Sequence, residues 1–228
     1  MDQYLPAAAA GAAHSAGRLI FIPKERTLPI MNQTLSREPV SSQTSHLRFT
    51  TRELVLGGMF AALMAVISQL SIPMPNGVPI TIQVFGIALI GVTLGWRLGC
   101  LSAVIYLLIG AVGLPVFANF GGGVSRLVSL TGGYLWSYPL MAALCGIHPN
   151  TGNQKKDTAL ILLSSLAGLL LVETIGGLQW AALSGGSMSV SAVFAYAAVA
   201  FIPKDIVLTV LAVFTGLSMR KVLNRIMG

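Results

Sequence analysis

Hydrophobic residues dominate the chain after residue 47, where they form long blocks that short polar segments separate. The blocks lie near residues 54–72, 80–95, 98–118, 127–147, 158–183 and 190–219. A straight helix needs about 20 apolar residues to cross a bilayer, and most of these blocks reach or approach that length. The pattern predicts an all-α protein, an integral membrane bundle of six transmembrane helices.

The six helices are predicted at residues 53–70, 80–95, 98–112, 130–147, 157–177 and 203–219. The second and third, at about 15 residues each, are short for a straight span, so each is either tilted in a thin region or packed inside the protein. Residues 187–202 are also apolar but end at Pro203. Because proline suits the start of a helix, this segment is either a short helix at the outer surface or the broken beginning of the sixth helix.

Composition supports a membrane protein, since 54% of the residues are hydrophobic and only 9% are charged. A soluble domain carries about 25% charged residues. The mean hydropathy of +0.79 agrees with this assignment.

Residues 1–47 differ from the rest, being rich first in alanine and then in Pro, Ser, Thr and Gln. They contain no apolar run long enough for a signal peptide, and we expect a disordered N-terminal extension, with Met31 as an alternative start of translation. Lys24, Arg26 and Arg37 could instead contact anionic membrane lipid. Residues 48–228 then form the six-helix transmembrane domain.

The basic residues after position 47 predict the orientation of the helices. Arg126 and Lys204 fall on one side of a six-helix topology, and the other eight fall on the opposite side. Those eight are Arg48, Arg52, Arg97, Lys155, Lys156, Arg220, Lys221 and Arg225. Lysine and arginine are enriched in cytoplasmic loops, so both termini are expected to be cytoplasmic, with the protein in the cell membrane. The net charge of +7 is mainly a topology signal, and no nucleic-acid partner is expected.

Five polar side chains are expected on the outer side, namely Asn119, Arg126, Glu173, Lys204 and Asp205. A charge among lipid chains is costly, so they are candidates for one shared site. Asp205 could instead stabilise the beginning of the sixth helix, and Lys204 could extend to the lipid headgroups. Adjacent helical residues point in different directions, so Lys204 and Asp205 are not expected to pair with each other. Glu173 is either a partner for Arg126 or a ligand-binding group.

The sequence lacks the motifs of several classes of enzyme. It contains neither a phosphate-binding Gly-x-x-x-x-Gly-Lys-Ser/Thr loop nor a Gly-x-Ser-x-Gly nucleophile motif. His14, His46 and His148 are far apart, and Cys100 and Cys145 fall near the cytoplasmic ends of two helices. We therefore expect no enzyme activity, no metal site, no cofactor and no structural disulfide.

Small residues carry two further signals. The first helix has a stripe that includes Gly57, Ala61 and Ala65, whose four-residue spacing lets another helix, internal or from a partner protein, approach closely. Residues 113–123 and 131–134 are rich in glycine. Irregular backbone at membrane depth must be buried or line a cavity, so this segment is either a tight outer loop or a loop whose bare backbone approaches a ligand.

The order of several motifs resembles the BioY biotin transporters, which are substrate-capturing S components of energy-coupling factor (ECF) transporters. The motifs, spread over about residues 50–225, are Pro79-Ile-Thr-Ile-Gln83, Leu94-Gly95, Tyr106, Gly113-Leu-Pro-Val-Phe117, the triple glycine at 121–123, Thr131-Gly-Gly-Tyr134, Gly177-Leu-Gln-Trp180 and Phe201-Ile-Pro-Lys-Asp205. The resemblance implies a six-helix subunit that binds biotin near the outer face. It also implies uptake driven by a separate transmembrane coupling subunit and two ATPase subunits, although some family members act without dedicated partners.

This resemblance, combined with the chemistry of biotin, suggests roles for the polar groups. Biotin has a ureido ring with two N–H donors and a carbonyl, and its tail ends in a carboxylate. Asp205 is expected to accept from the ureido N–H groups, and Asn119 or Tyr134 to donate to the carbonyl. Arg126 or Lys204 is expected to pair with the tail carboxylate.

The same motifs supply further candidates. The remaining substrate-binding candidates are Trp180 and Phe117 as an apolar wall, together with Gln83, Gly122, Gly123, Thr131 and Gly132. In the family, small residues of the first helix form the docking face for the coupling subunit, which corresponds to Ala61 and Ala65 here.

The sequence departs from the family pattern at two places. The sixth helix of the family has a lysine three residues after the aspartate, whereas here Lys204 precedes Asp205 and Leu208 holds the later position. Leu130 stands where a proline normally precedes Thr-Gly-Gly-Tyr. Three alternatives follow: an S component for another small vitamin, an ion-coupled secondary carrier with Glu173 as its proton site, or a membrane scaffold without a ligand.

Overall fold

The structure is a computed structural model that describes residues 50–75, 77–186 and 188–227. The disordered extension expected at residues 1–47 lies outside these residues. The described helices are α1 (Thr51–Ser68), α2 (Gln83–Leu94), α3 (Trp96–Ala111), α4 (Val124–Leu127), α5 (Gly132–Cys145), α6 (Gln154–Leu183), α7 (Val190–Ala200) and α8 (Ile202–Met227). A short antiparallel ribbon of β1 (Ser71–Ile72) and β2 (Ile80–Thr81) connects α1 to α2, and a 3-10 turn, Ala118–Phe120, precedes α4.

Three of the described helices, α1, α6 and α8, are long and apolar enough to cross a membrane, and α2, α3 and α7 are shorter apolar helices. The prediction of a helical membrane protein is confirmed at this level. α6 begins three residues before the predicted position because the side chain of Asn153 accepts hydrogen bonds from the backbone N–H groups of Lys155 and Lys156 and caps the helix there.

The short helix α2 lies at the centre of the fold. Ten of its residues are buried, and it packs against α1, α3, α5 and α8. Its glycines allow this crowding, because a Cβ atom on Gly86 would lie 3.2 Å from Ile67 and one on Gly91 would lie 2.8 Å from Cys145. Of the two alternatives for a helix too short to span alone, the structure therefore shows packing inside the protein.

Contacts at the helix ends show how the bundle is arranged. The Lys204 side chain at the start of α8 donates to the carbonyl oxygen of Thr81, just before α2, while Arg220 near the end of α8 donates to the carbonyl oxygen of Thr93 in the last turn of α2. Hence α2 and α8 run parallel. The backbone N–H of Trp96 donates to the carbonyl of Gly146, so α2 and α5 finish at the same end. We call this end, which carries Arg220, the basic end, and the opposite end the cavity end.

The small-residue stripe of α1 faces the interior. Gly57 lies against Ser102 and Ile105 of α3, Ala61 is only 1% exposed, and Ala65 is partly buried against the same core. The assignment of Ala61 to a partner-docking face is therefore not supported by this arrangement. The physical reason is that close approach, which the stripe permits, is used by α3 of the same chain.

The segment before the sixth predicted span is a helix of its own. α7 ends at Ala200, Phe201 caps it, and α8 begins at once with Ile202. Pro203 thus occupies the first turn of α8, where its missing N–H costs no hydrogen bond. Val193 and Ala197 are the buried residues of α7, which packs on α6 and α8. The structure thus favours the separate short helix over a broken beginning of the last span.

Candidate ligand cavity

A cavity opens at the end of the bundle where α2, α5 and α8 begin and α6 ends. It contains about 660 Å³ of empty space, counted with its open mouth. The lining residues are Val78, Pro79, Thr81, Gln83, Val84, Phe117, Ala118, Arg126, Thr131, Tyr134, Leu135, Tyr138, Glu173, Phe201, Lys204 and Asp205.

Seven of the residues predicted for substrate binding line this cavity. They are Gln83, Phe117, Arg126, Thr131, Tyr134, Lys204 and Asp205. They come from α2, the loop before α4, α4 itself, the N-terminal end of α5, and α8, so the fold brings together positions more than 100 residues apart in sequence.

Lys204 and Asp205 form an ion pair, with 2.6 Å between Lys204 Nζ and Asp205 Oδ1. The expectation that these neighbours would not pair is wrong. Their Cβ atoms do diverge, but the four-carbon lysine side chain is long enough to fold back over one residue. Lys204 Nζ also donates to the carbonyl oxygen of Thr81 at 3.0 Å. This bond links the start of α8 to β2, so Lys204 does not extend to the lipid headgroups.

One wall of the cavity, formed by α2, α3 and α5, has a complete chain of hydrogen bonds. Tyr138 donates its hydroxyl to Gln83 Oε1 at 3.1 Å, Gln83 Nε2 donates to the Tyr106 hydroxyl at 3.1 Å, and Tyr106 donates to the carbonyl of Val116 at 3.2 Å. We call these four residues the closed wall. Gln83 and both tyrosines are buried, and each polar group has a partner, so the wall is rigid before any ligand arrives.

The part of the lining formed by α5 and α6 is different. Glu173 is 5% exposed and its Oε2 atom has no hydrogen-bond partner among the described residues, and the buried hydroxyl of Tyr134 has none either. We call this pair the open wall. Pairing of Glu173 with Arg126, one of the two alternatives for this residue, is not formed in the described part of the chain. Thr209, one turn after Asp205 on α8, also has a buried hydroxyl without a partner.

Glycines bring α5 and α6 together and so place the open wall. A Cβ atom on Gly133 would lie 3.0 Å from the Cα atom of Gly176, and one on Gly176 would overlap the ring of Tyr134. Gln179 of α6 also donates to the carbonyls of Leu127 and Ser129, which fixes the segment leading into α5. The Gly-Gly in Thr131-Gly-Gly-Tyr134 therefore allows helices to approach, and the tyrosine reaches the cavity as a result.

The loop before α4 supplies the third side of the cavity. Phe117 is buried there, with its ring edge-to-face against Tyr106 at a centroid distance of 5.4 Å. Two residues at the end of α1 hold this loop: Ser68 donates to the carbonyl of Val116, and Gln69 donates to the carbonyl of Phe117 while accepting from the N–H of Phe120.

Arg126 lies at the exposed mouth of the cavity. Gly121 makes room for it, since a Cβ atom there would be 2.8 Å from Arg126 Nε. Arg126 is exposed at the mouth and Lys204 is part-exposed, whereas Asp205, at 2% exposure, and Glu173 are buried, with Lys204 Nζ in contact with Asp205. The cavity is cationic at its entrance and acidic at its floor.

The other predicted substrate-binding residues do not line the cavity. Asn119 is in a left-handed conformation, with φ of 56°, and its side chain accepts from the hydroxyl of Ser71. Trp180 is buried behind the lining residue Phe201, with 6.3 Å between ring centroids. The remaining three are Gly122, Gly123 and Gly132.

Backbone packing explains the positions of these glycines. A Cβ atom on Gly122 would be 2.7 Å from the carbonyl oxygen of Gly113, one on Gly132 would overlap the carbonyl oxygen of Leu127, and Gly123 has φ of 89° before α4. The missing side chains of Gly122 and Gly132 therefore accommodate the protein's own backbone, and Gly123 adopts a left-handed conformation that favours glycine.

Two lining residues could have been found from the sequence. Tyr138 follows Tyr134 by four residues on a predicted helix and so shares its face. Phe201 belongs to the same short motif as Lys204 and Asp205. Glu173 stands out as an acid in an apolar helix, but no sequence signal shows that it lacks a partner.

Comparison with known proteins shows that the chain is similar to the members of one protein family. Residues 37–225 match the model of the BioY family. A biotin transporter BioY of Thermotoga maritima is 42% identical over 125 residues, which cover 55% of this chain and 72% of that protein. A probable biotin transporter BioY of Pyrococcus horikoshii is 37% identical over 162 residues, covering 71% of this chain and 92% of that protein.

A solved structure is similar as well. The crystal structure of the S-component for biotin from an ECF-type ABC transporter matches with a TM-score of 0.65 and 25% sequence identity. The match covers 76% of this chain and 95% of that one.

Proposed function

Because the chain belongs to the BioY family, we propose that it takes up biotin as the substrate-binding membrane subunit of an ECF-type transporter. The similar proteins are biotin transporters and, in one case, an S-component for biotin. The observation that carries the proposal for this chain is the cavity, which has a cation at its mouth and carboxylates at its floor. Biotin has the complementary order, with an anionic tail at one end and N–H donors at the other.

The arrangement of charges supports one orientation of the ligand. Lys204 is engaged by Asp205 and Thr81, whereas Arg126 lies at the mouth, so Arg126 is the better partner for the tail carboxylate. Asp205 uses Oδ1 for Lys204, and its other oxygen accepts a ureido N–H. The Tyr134 hydroxyl donates to the ureido carbonyl. Phe117, Phe201 and Leu135 supply apolar contacts for the ring and the tail.

We propose six spans, formed by α1, α2, α3, α5, α6 and α8, in the cell membrane. The basic residues support an orientation with both termini in the cytoplasm, since Arg97, Lys155 and Arg220 lie at the basic end. The cavity then opens to the exterior. The sequence lacks an ATP-binding loop of its own, so a coupling subunit and two ATPase subunits are the proposed source of energy.

Radiolabelled biotin and the purified protein in lipid nanodiscs test the ligand. We expect saturable binding near one biotin per chain, which excess unlabelled biotin displaces and excess thiamine or riboflavin does not. Absence of saturable biotin binding would falsify the proposal. Displacement by another vitamin at equal concentration would instead support an S component of different specificity.

Cysteine labelling in whole cells tests the orientation. Ser125 is exposed at the cavity end and Thr151 is exposed between α5 and α6 at the basic end. A membrane-impermeant maleimide should label Ser125→Cys in intact cells and Thr151→Cys only after lysis, with the wild-type protein measuring the background from Cys100 and Cys145. The reverse pattern would contradict an outward-facing cavity.

A further inference from the structure

The strongest unexplained feature of the molecule is the side chain of Glu173. It is 95% buried, it lines the cavity, and its Oε2 atom has no hydrogen-bond partner among the described residues. Buried carboxylates in proteins are nearly always paired or hydrogen-bonded, because an unpaired one loses its hydration without compensation. Glu173 is therefore available to accept a hydrogen bond from a group that enters the cavity.

None of the described protein groups around the cavity donates to Glu173 Oε2. Lys204 donates to Asp205 and to Thr81, and the amide of Gln83 donates to Tyr106. Tyr138 donates to Gln83, and Arg126 lies at the exposed mouth. Of the other polar groups from α5 and α8, the hydroxyls of Tyr134 and Thr209 make no hydrogen bond to it.

The hydrogen-bonding groups at the floor of the cavity that the protein leaves unused are complementary to those of a cyclic urea. A cyclic urea has two N–H groups that point to opposite sides and one carbonyl between them. The floor offers one acceptor on α8, the oxygen of Asp205 that Lys204 leaves free, and one acceptor on α6, Glu173. The Tyr134 hydroxyl, also in the lining, is a free donor. A single carboxylate would leave one ligand N–H buried without a partner, which is costly.

We propose that Glu173 is a second ligand-recognising side chain, which accepts a hydrogen bond from one ureido N–H while Asp205 accepts from the other. This inference rests on the proposed function and adds a specificity-determining residue to it. The two-sided recognition makes the cavity selective for ligands that present N–H donors on both sides of a carbonyl, and it rejects analogues in which either nitrogen is blocked.

The experiment combines variants of Glu173 with biotin analogues that carry a methyl group on one or the other ureido nitrogen. In the wild-type protein, both methylated analogues should bind at least about 10-fold more weakly than biotin. Glu173→Leu should bind biotin about 10-fold more weakly and should lose the penalty for one of the two analogues but not for the other. Glu173→Gln, whose neutral amide oxygen still accepts but without the charge, should bind biotin more weakly than wild type and more tightly than Glu173→Leu.

The matched control is Thr174→Val, since Thr174 is exposed on the same helix and donates only to Leu170. It should leave all affinities unchanged. Wild-type affinity of Glu173→Leu for biotin, or an unchanged penalty for both analogues, would overturn the inference while leaving biotin binding by the wild type, and hence the proposed function, intact. If the wild-type protein itself fails to bind biotin, the proposed function fails first.

Discussion

The closed wall and the open wall of the cavity differ in how their buried polar groups are satisfied. In the closed wall, Gln83 joins two tyrosines in a chain of hydrogen bonds that ends on a backbone carbonyl. In the open wall, the buried carboxylate oxygen of Glu173 and the buried hydroxyl of Tyr134 have no hydrogen-bond partner among the described residues. The comparison teaches that neighbouring polar residues can differ in whether the fold itself satisfies them, and only the unsatisfied set is available to a ligand.

The largest expected effect comes from Asp205→Asn. Asparagine keeps the shape of the side chain but removes the charge that strengthens a hydrogen bond to a ligand N–H, a bond worth roughly 1.5–3 kcal/mol. Biotin affinity should fall by about 10- to 150-fold in equilibrium binding. Asp157→Asn is the control, because that carboxylate accepts from Thr151 at the basic end. Equal affinities of Asp205→Asn and wild type would remove Asp205 from the site.

A second prediction concerns the contact that positions the open wall. In Gly176→Ala, the new methyl group would overlap the Tyr134 ring, so we expect a loss of about 2 kcal/mol in stability together with weaker biotin binding. Gly58→Ala makes the same chemical change in α1, where no atom lies within 4 Å of the added group, and should be neutral or slightly stabilising. Thermal unfolding in detergent compares the two, and similar melting temperatures would contradict the glycine contact.

A third prediction is that substitutions in the two walls change the stability of the ligand-free protein in opposite directions. Gln83→Leu leaves the buried Tyr138 hydroxyl without its acceptor and should destabilise the ligand-free protein by about 1–2 kcal/mol. Glu173→Leu removes an unpaired buried carboxylate and should stabilise it. Melting temperatures measured without biotin should therefore move in opposite directions, and a shift of the same sign in both variants would remove the distinction between the walls.

The smallest expected effect on biotin affinity comes from Arg126 at the mouth of the cavity. Because Arg126 is exposed, its attraction for the tail carboxylate is screened, and Arg126→Gln should weaken biotin binding only about 2- to 5-fold. The methyl ester of biotin, which lacks the charge, should bind the variant and the wild type equally. Arg97→Gln, an exposed arginine at the basic end, serves as the control. An unchanged preference for biotin over its ester in Arg126→Gln would place the carboxylate elsewhere.

Much of the fold could be predicted from the sequence because hydrophobic blocks and basic loops report directly on membrane helices. The central position of α2 could not, since a helix that is too short for a span fits tilting and internal packing equally well. The separate helix α7 was one of two alternatives, and only the geometry at Phe201 distinguishes them.

The candidate site was predictable in part for a similar reason. Charged residues such as Asp205 and Arg126 stand out in apolar surroundings and do line the cavity. Glycines carry less information, because the bare backbone of Gly132 suits a ligand and a neighbouring chain segment alike, and here the neighbour is Leu127. The pairing of Lys204 with Asp205 depends on the reach of a flexible side chain, which residue spacing on a helix does not describe.

The attachment of the loop before α4 to α1 has a mechanical consequence. Ser68 and Gln69 form hydrogen bonds with the backbone on both sides of Phe117, so we expect the Phe117 ring and the last turn of α1 to move together. Any tilt of α1 in the bilayer would carry a side of the binding chamber with it. We therefore expect ligand occupancy of the cavity and the tilt of α1 to be mechanically coupled.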